Sequence, residues 1–178
     1  RAVWAPKIGK AQLHLGFNAQ YREFSNTALN ARYRARPFVQ TTGTRFVDSQ
    51  VFGAESDSIF GVEAAVIRGP FHVAGEAQWL QTNALLASET LPPGGNTLTS
   101  SRLAANPGFF SYYVEAGYWF TGESRGYKKG EWDRTRVKNG FDKGGPGAIG
   151  LNLRYDYLDM ADRALYSGGI GTSLLRGG

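Results

Sequence analysis

Three arginines alternate with Tyr33 and Ala35 in the run Ala31-Arg32-Tyr33-Arg34-Ala35-Arg36-Pro37. In an extended strand successive side chains point to opposite faces, so Arg32, Arg34 and Arg36 form one file with neighbours about 6.6 Å apart. Like charges at that spacing repel by about 0.6 kcal/mol in bulk water, and several-fold more where the dielectric is lower. Such a file is a poor choice for a packed core. It suits a surface that holds or passes anions, because Arg stays charged and grips phosphate or carboxylate through two parallel N–H donors. An anion bridging two guanidiniums relieves their repulsion, and a row of similar wells lets an ion step on without being trapped. Tyr33 and Ala35 are expected to face outward, away from the file.

Other residues suit the same chemistry. Arg22 shares a strand face with His14, Asn18 and Gln20, and either extends the file or pairs with Glu63 or Glu76. Arg154 has Asp156 two residues on, which predicts a partly neutralised pair on one face. Arg134, Arg136 and Lys138 repeat the alternating basic pattern and, with Lys128, Lys129 and Lys143, make residues 122–147 net positive. That segment is either a patch that steers anions at low salt or a solvated charged loop. Glu63, Glu76 and Glu115 lie on polar strand faces. A pair of carboxylates is also a hydrolytic device, but pairing with arginines accounts for them more economically. His14 and His72 have no metal-ligand spacing and read as wall residues. With no Cys and two His, a disulfide scaffold, a thiolate metal site, a Cys nucleophile and an all-histidine metal site are excluded. No Gly-x-Ser-x-Gly, P-loop or His-Glu-x-x-His motif occurs. No enzyme activity and no cofactor are expected. The net charge of +5, with no Lys/Arg run longer than two, is not a nucleic-acid signature.

Five segments alternate cleanly between apolar and polar. They are 12–22, 59–66, 71–79, 111–121 and 149–157. Their apolar faces read Leu13, Leu15, Phe17 in the first, Phe60, Val62, Val66 in the second, Phe71, Val73, Trp79 in the third. Tyr112, Val114, Tyr118 follow in the fourth, and Leu151, Leu153, Tyr155 in the fifth. Most are about 9–11 residues long, the length of a tilted strand crossing a bilayer. Mean hydropathy is −0.34 and no apolar stretch approaches the roughly 20 residues of a membrane helix. With 24 Gly and 24 aromatic residues (11 Phe, 9 Tyr, 4 Trp) among 178, the chain fits an antiparallel transmembrane β-barrel. A soluble antiparallel sheet shows the same alternation, but aromatics at segment ends favour lipid outside. The tight Arg68-Gly69-Pro70 turn contrasts with long connections at 83–108 and 122–147. Simple up-and-down order puts 122–147 on the same rim as the tight turn, so it is an extended excursion or hides a hairpin around 132–138.

The chain resembles the phosphate-selective porins of the O/P type in Gram-negative outer membranes. The resemblance runs in order through Gln12-Leu13-His14-Leu15-Gly16, Arg32-x-Arg34-x-Arg36-Pro37, Arg45-Phe46-Val47-Asp48, Phe60-Gly61-Val62-Glu63-Ala64-Ala65 and Gly69-Pro70-Phe71. It continues through Tyr112-Tyr113-Val114, Phe120-Thr121-Gly122-Glu123-Ser124-Arg125, Arg136-Val137-Lys138 and Arg154-Tyr155-Asp156-Tyr157-Leu158-Asp159. It implies a 16-stranded trimeric barrel, touching outer-membrane lipid and lipopolysaccharide. Its lumen would carry an arginine ladder, at Arg32, Arg34 and Arg36 here, that conducts phosphate-like anions. Residues 1–178 would then be a single partial barrel domain of roughly 7–9 strands from the C-terminal half, without the constriction loop. Rival readings are Arg32, Arg34 and Arg36 at a rim, paired with Glu or lipopolysaccharide phosphate; a general or differently selective porin whose acidic residues cancel the ladder; a soluble β-sheet module for acidic ligands; and an enzyme in a complete eight-stranded barrel.

Overall fold

The structure is a computed structural model, which describes residues 1–25, 29–36, 43–88 and 102–167. Pro37, the Pro92-Pro93-Gly94-Gly95 stretch and the end at 175–178 lie outside the described residues. The chain is all-β. In order it forms β1 (Ala2–Trp4), β2 (Lys7–Ile8), β3 (Ala11–Glu23), β4 (Asn30–Ala31), β5 (Arg34–Ala35), β6 (Val47–Asp48), β7 (Phe52–Arg68) and β8 (Phe71–Ala84). After these come β9 (Gly108–Trp119), β10 (Gly126–Lys128), β11 (Glu131–Asp133), a 3-10 turn (Phe141–Lys143), β12 (Gly150–Asp159) and the short helix α1 (Arg163–Ser167). The main sheet has the order β1-β3-β7-β8-β9-β12, with β2 on β3 and β4 on β7. Two small sheets, β5-β6 and β10-β11, stand apart from it.

All five alternating segments fall on long strands; β7 and β8 run well beyond the apolar pattern, whereas β9 stops at Trp119 and β12 begins at Gly150. β7 begins at Phe52 because β4 pairs with its first residues (Asn30 with Gly53, Ala31 with Phe52). The β7–β8 turn closes through Gly69 at φ +58°, a left-handed conformation glycine adopts without steric cost. The arginine run, expected as one strand, is not. It changes partner midway: Ala31 pairs with β7, whereas Arg34 and Ala35 pair with Asp48 and Val47 of β6. Between them Tyr33 bonds to Ser49, its N–H donating to the Ser49 hydroxyl at 2.9 Å and its carbonyl accepting from the Ser49 N–H at 2.8 Å.

The faces of the sheet are the reverse of a soluble protein's. Phe60 and Val114 are each 49% exposed, with Val62 and Trp79 similarly open. On the opposite face His72 is 3% exposed and Glu115 8%. Glycines there make room for large polar groups: a Cβ on Gly16 would strike the Glu63 side chain, and one on Gly117 would strike the His72 ring. A soluble sandwich buries its apolar face, so this sheet suits an apolar medium outside.

The chain divides into two compact units. One comprises Arg1–Ala19, Phe60–Gln78 and Ser111–Tyr157, the other Gln20–Ile59, Trp79–Phe110 and Leu158–Gly178. In the first, the β10-β11 hairpin lies on the polar side of the sheet. Tyr127 sits edge-on to His14 with ring centroids 5.7 Å apart, and Trp132 faces His72 at 6.4 Å. The second has a small apolar core of Ala31, Phe52, Ala54, Ala84, Leu103, Phe109, Met160 and Leu165.

Candidate functional site

In the second unit Arg32, Arg34 and Arg36 are all exposed, while Tyr33 and Ala35 between them are half-buried. The alternation survives the break in the strand. Tyr33, however, does not face outward. Its ring packs against Phe109 (centroids 5.2 Å) and Phe52 (6.1 Å), so the small core anchors the backbone that carries the arginines.

Each arginine has a different setting. Arg32 meets Asp48 fork to fork, Nε donating to Oδ1 at 2.9 Å and Nη2 to Oδ2 at 2.5 Å. This donation, aided by the Gln50 N–H and the nearby charge of Arg34, holds the Asp48 carboxyl below the usual carboxylate range despite its burial. Among the described residues no ion pair engages Arg34 or Arg36. Arg22 pairs with Asp57 through both nitrogens of its fork and stacks over Phe24 at 5.0 Å. Its partner is therefore neither Glu63 nor Glu76. Asp57, 1% exposed, also accepts from the Tyr33 hydroxyl at 2.6 Å, and the Thr82 hydroxyl donates to that of Tyr33 at 3.2 Å.

In the first unit Arg154 forms the expected pair with Asp156, Nη2 to Oδ1 at 2.8 Å. It also lies 3.7 Å over the Tyr113 ring and 3.9 Å from Glu115. Arg125 reaches Glu115 at 3.7 Å and the His72 Nε2 at 3.3 Å, and caps the Trp132 ring at 4.6 Å. Glu63 pairs with Arg1 at 2.8 Å, and Glu76 accepts from Gln78 at 2.7 Å. Residues 122–147 do contain a hairpin, turning at Lys129 and Gly130, whose φ values are +51° and +83°. Of the anticipated 132–138, only Trp132 and Asp133 belong to it.

Lys128, Lys129, Arg134, Arg136, Lys138 and Lys143 are all exposed. Lys138 is held by its backbone N–H donating to Glu123 at 3.1 Å and its ammonium donating to the Gly122 carbonyl. Lys7, Lys10, Gln12, Ser124 and Arg125 line a groove of about 320 Å³ in the same unit. Among the described residues no cluster of His, Asp or Glu is placed to hold a metal.

The family described as "Phosphate-selective porin O and P" matches residues 1–173. The chain belongs to that family. Porin O of Pseudomonas aeruginosa is 28% identical to it over 182 residues, 91% of this chain and 37% of that protein. An uncharacterized protein of Caulobacter vibrioides is 39% identical over 169 residues, 94% of this chain and 31% of that protein. The chain thus spans about a third of each relative's length.

Within this porin segment the residues that pattern alone did not single out are the partners: Asp57 for Arg22, Arg125 for Glu115, and Asp48 for Arg32. Asp48 was visible only as part of the family-like Arg45-Phe46-Val47-Asp48 stretch. Lys7 and Lys10, near the Gly9 turn, also belong with the basic residues.

Proposed function

We propose that this segment forms part of a passive, anion-selective channel in a Gram-negative outer membrane, conducting phosphate-like anions along Arg32, Arg34 and Arg36. The observation that carries the proposal is that these three guanidiniums stand exposed on one side of a backbone anchored by Tyr33, in a family of phosphate-selective porins. Rigid anchoring matters because a pre-placed guanidinium replaces part of an ion's hydration shell with little reorganisation. The basic residues of 122–147, with Lys7 and Lys10, would raise the local anion concentration at low ionic strength. Assembly as a homotrimer in contact with lipid and lipopolysaccharide belongs to the same proposal. A general porin is the second reading, favoured by the carboxylates that pair Arg22, Arg32 and Arg154.

The test is reversal potential across a planar bilayer under a salt gradient, using the full-length porin. Anion selectivity is expected, falling toward neutrality when Arg32, Arg34 and Arg36 are all replaced by Ala. A cation-selective parent channel, or selectivity unmoved by the triple substitution, sinks the arginine file and leaves the general porin.

A further inference from the structure

We propose that Asp48 is a built-in competitor for the anion at Arg32, a positioning residue that makes this rung of the file shallower than Arg34 and Arg36. The proposal rests on the arginine-file reading above and assigns unequal roles within it.

The Asp48 carboxylate occupies the Arg32 fork edge-on, at 2.9 and 2.5 Å. Those two oxygens present the same pair of acceptors that a phosphate would. A guanidinium has five N–H donors; the fork uses one on Nε and one on Nη2, leaving the poorer Nη1 side for a second anion. A phosphate reaching Arg32 therefore either displaces Asp48 or binds at that side beside a negative charge, and both weaken it.

Asp48 is not free to swing aside. It is 8% exposed, and its Oδ1 also accepts from the Gln50 N–H at 3.0 Å. That bond braces a turn in which Gln50 sits at φ +59°, a conformation few non-glycine residues adopt. Arg34 stands directly across from Asp48 in the β5-β6 register, so the same carboxylate also tempers the next rung. Asp48 thus lowers the depth of one well without breaking the file, which shortens the ion's stay at that rung.

The experiment titrates inorganic phosphate against chloride current through single full-length channels, reading the half-blocking phosphate concentration and the saturating phosphate current. Asp48→Asn keeps the Oδ1 acceptor for Gln50 and removes the charge. It is expected to lower the half-blocking concentration about tenfold, the equivalent of about 1.4 kcal/mol, and to reduce the saturating current as dwell time lengthens. Asp48→Ser, whose hydroxyl also accepts from a backbone N–H two residues on, moves both the same way. Asp48→Glu, which keeps the charge, stays within about twofold of the parent. A merely structural role would not tighten block.

Half-blocking concentrations unchanged or raised in both Asp48→Asn and Asp48→Ser overturn the proposal. The file itself is judged separately by Arg34→Ala and Arg36→Ala, each expected to weaken block. If they do not, while Asp48→Asn still tightens it, the file falls and the competition at Arg32 stands.

Discussion

Tyr33 shows how much one side chain in the arginine run does. Its ring joins the small core and its hydroxyl donates to Asp57. Burial, with that bond to a carboxylate, pushes the phenol up to about 12 from its ordinary 10.0. The folded state prefers the neutral form, so this contribution is complete below pH 10 and is lost as pH rises from there through about 12. Protease cleavage within 29–36 and 43–51 of the full-length porin is therefore expected to accelerate across that window, together with phenolate absorbance. Tyr33→Phe should abolish this alkaline step and cost about 1 kcal/mol at neutral pH. None of this was legible in the local pattern, which had Tyr33 facing outward. Alternation correctly separated it from the arginines, but only packing decides whether the other side of a short strand meets lipid or a core. The acidic partners escaped for a related reason. Asp48 lies 16 residues from Arg32, and Asp57 lies 35 from Arg22, and pairing at such separations is set by register rather than spacing.

At the scale of elements, the 122–147 connection is the piece whose role changed most. The sequence marks it as long and basic, and the structure lays its hairpin over the polar face at His14 and His72. The anchor nearest β9 is Glu123, 1% exposed. It accepts from the Thr121 hydroxyl and from the Lys138 N–H. Chiefly through the Thr121 bond, its carboxyl is held below the ordinary value of 4.5. The folded state thus prefers the ionised form, and this contribution is present above about pH 4.5 and lost as pH falls below it through the depressed value. Hydrogen exchange of amides in 122–147 is expected to quicken at acid pH. Glu123→Gln should show the faster exchange already at pH 7 with a flatter acid dependence; unchanged exchange would remove Glu123 as the anchor. The five apolar–polar strands were readable because period-two alternation is a local property. The hairpin was harder to place, because only three residues pair on each side and its turn uses a lysine at positive φ.

For the whole molecule, the decisive property is the outward apolar face. Leu153→Arg in the full-length porin is expected to lower stability in lipid vesicles by about 2 kcal/mol. Gln78→Arg on the polar face should change it by less than about 1 kcal/mol. Urea titration in vesicles measures both; equal effects would mean that Leu153 does not meet lipid. The sequence by itself determined the all-β class, the five long strands, the polarity of their faces, the Arg154–Asp156 pair and the porin family. All of these follow from side-chain order along one strand or from residues in sequence order. The tertiary structure alone decided that the arginine run is two short strands on different partners. It also decided that Tyr33 anchors the run from a core, that 122–147 covers part of the polar face, and that Arg32 is paired with Asp48 while, among the described residues, no ion pair engages Arg34 or Arg36. Those outcomes depend on which distant segments meet, and a chain's local alternation carries no record of that.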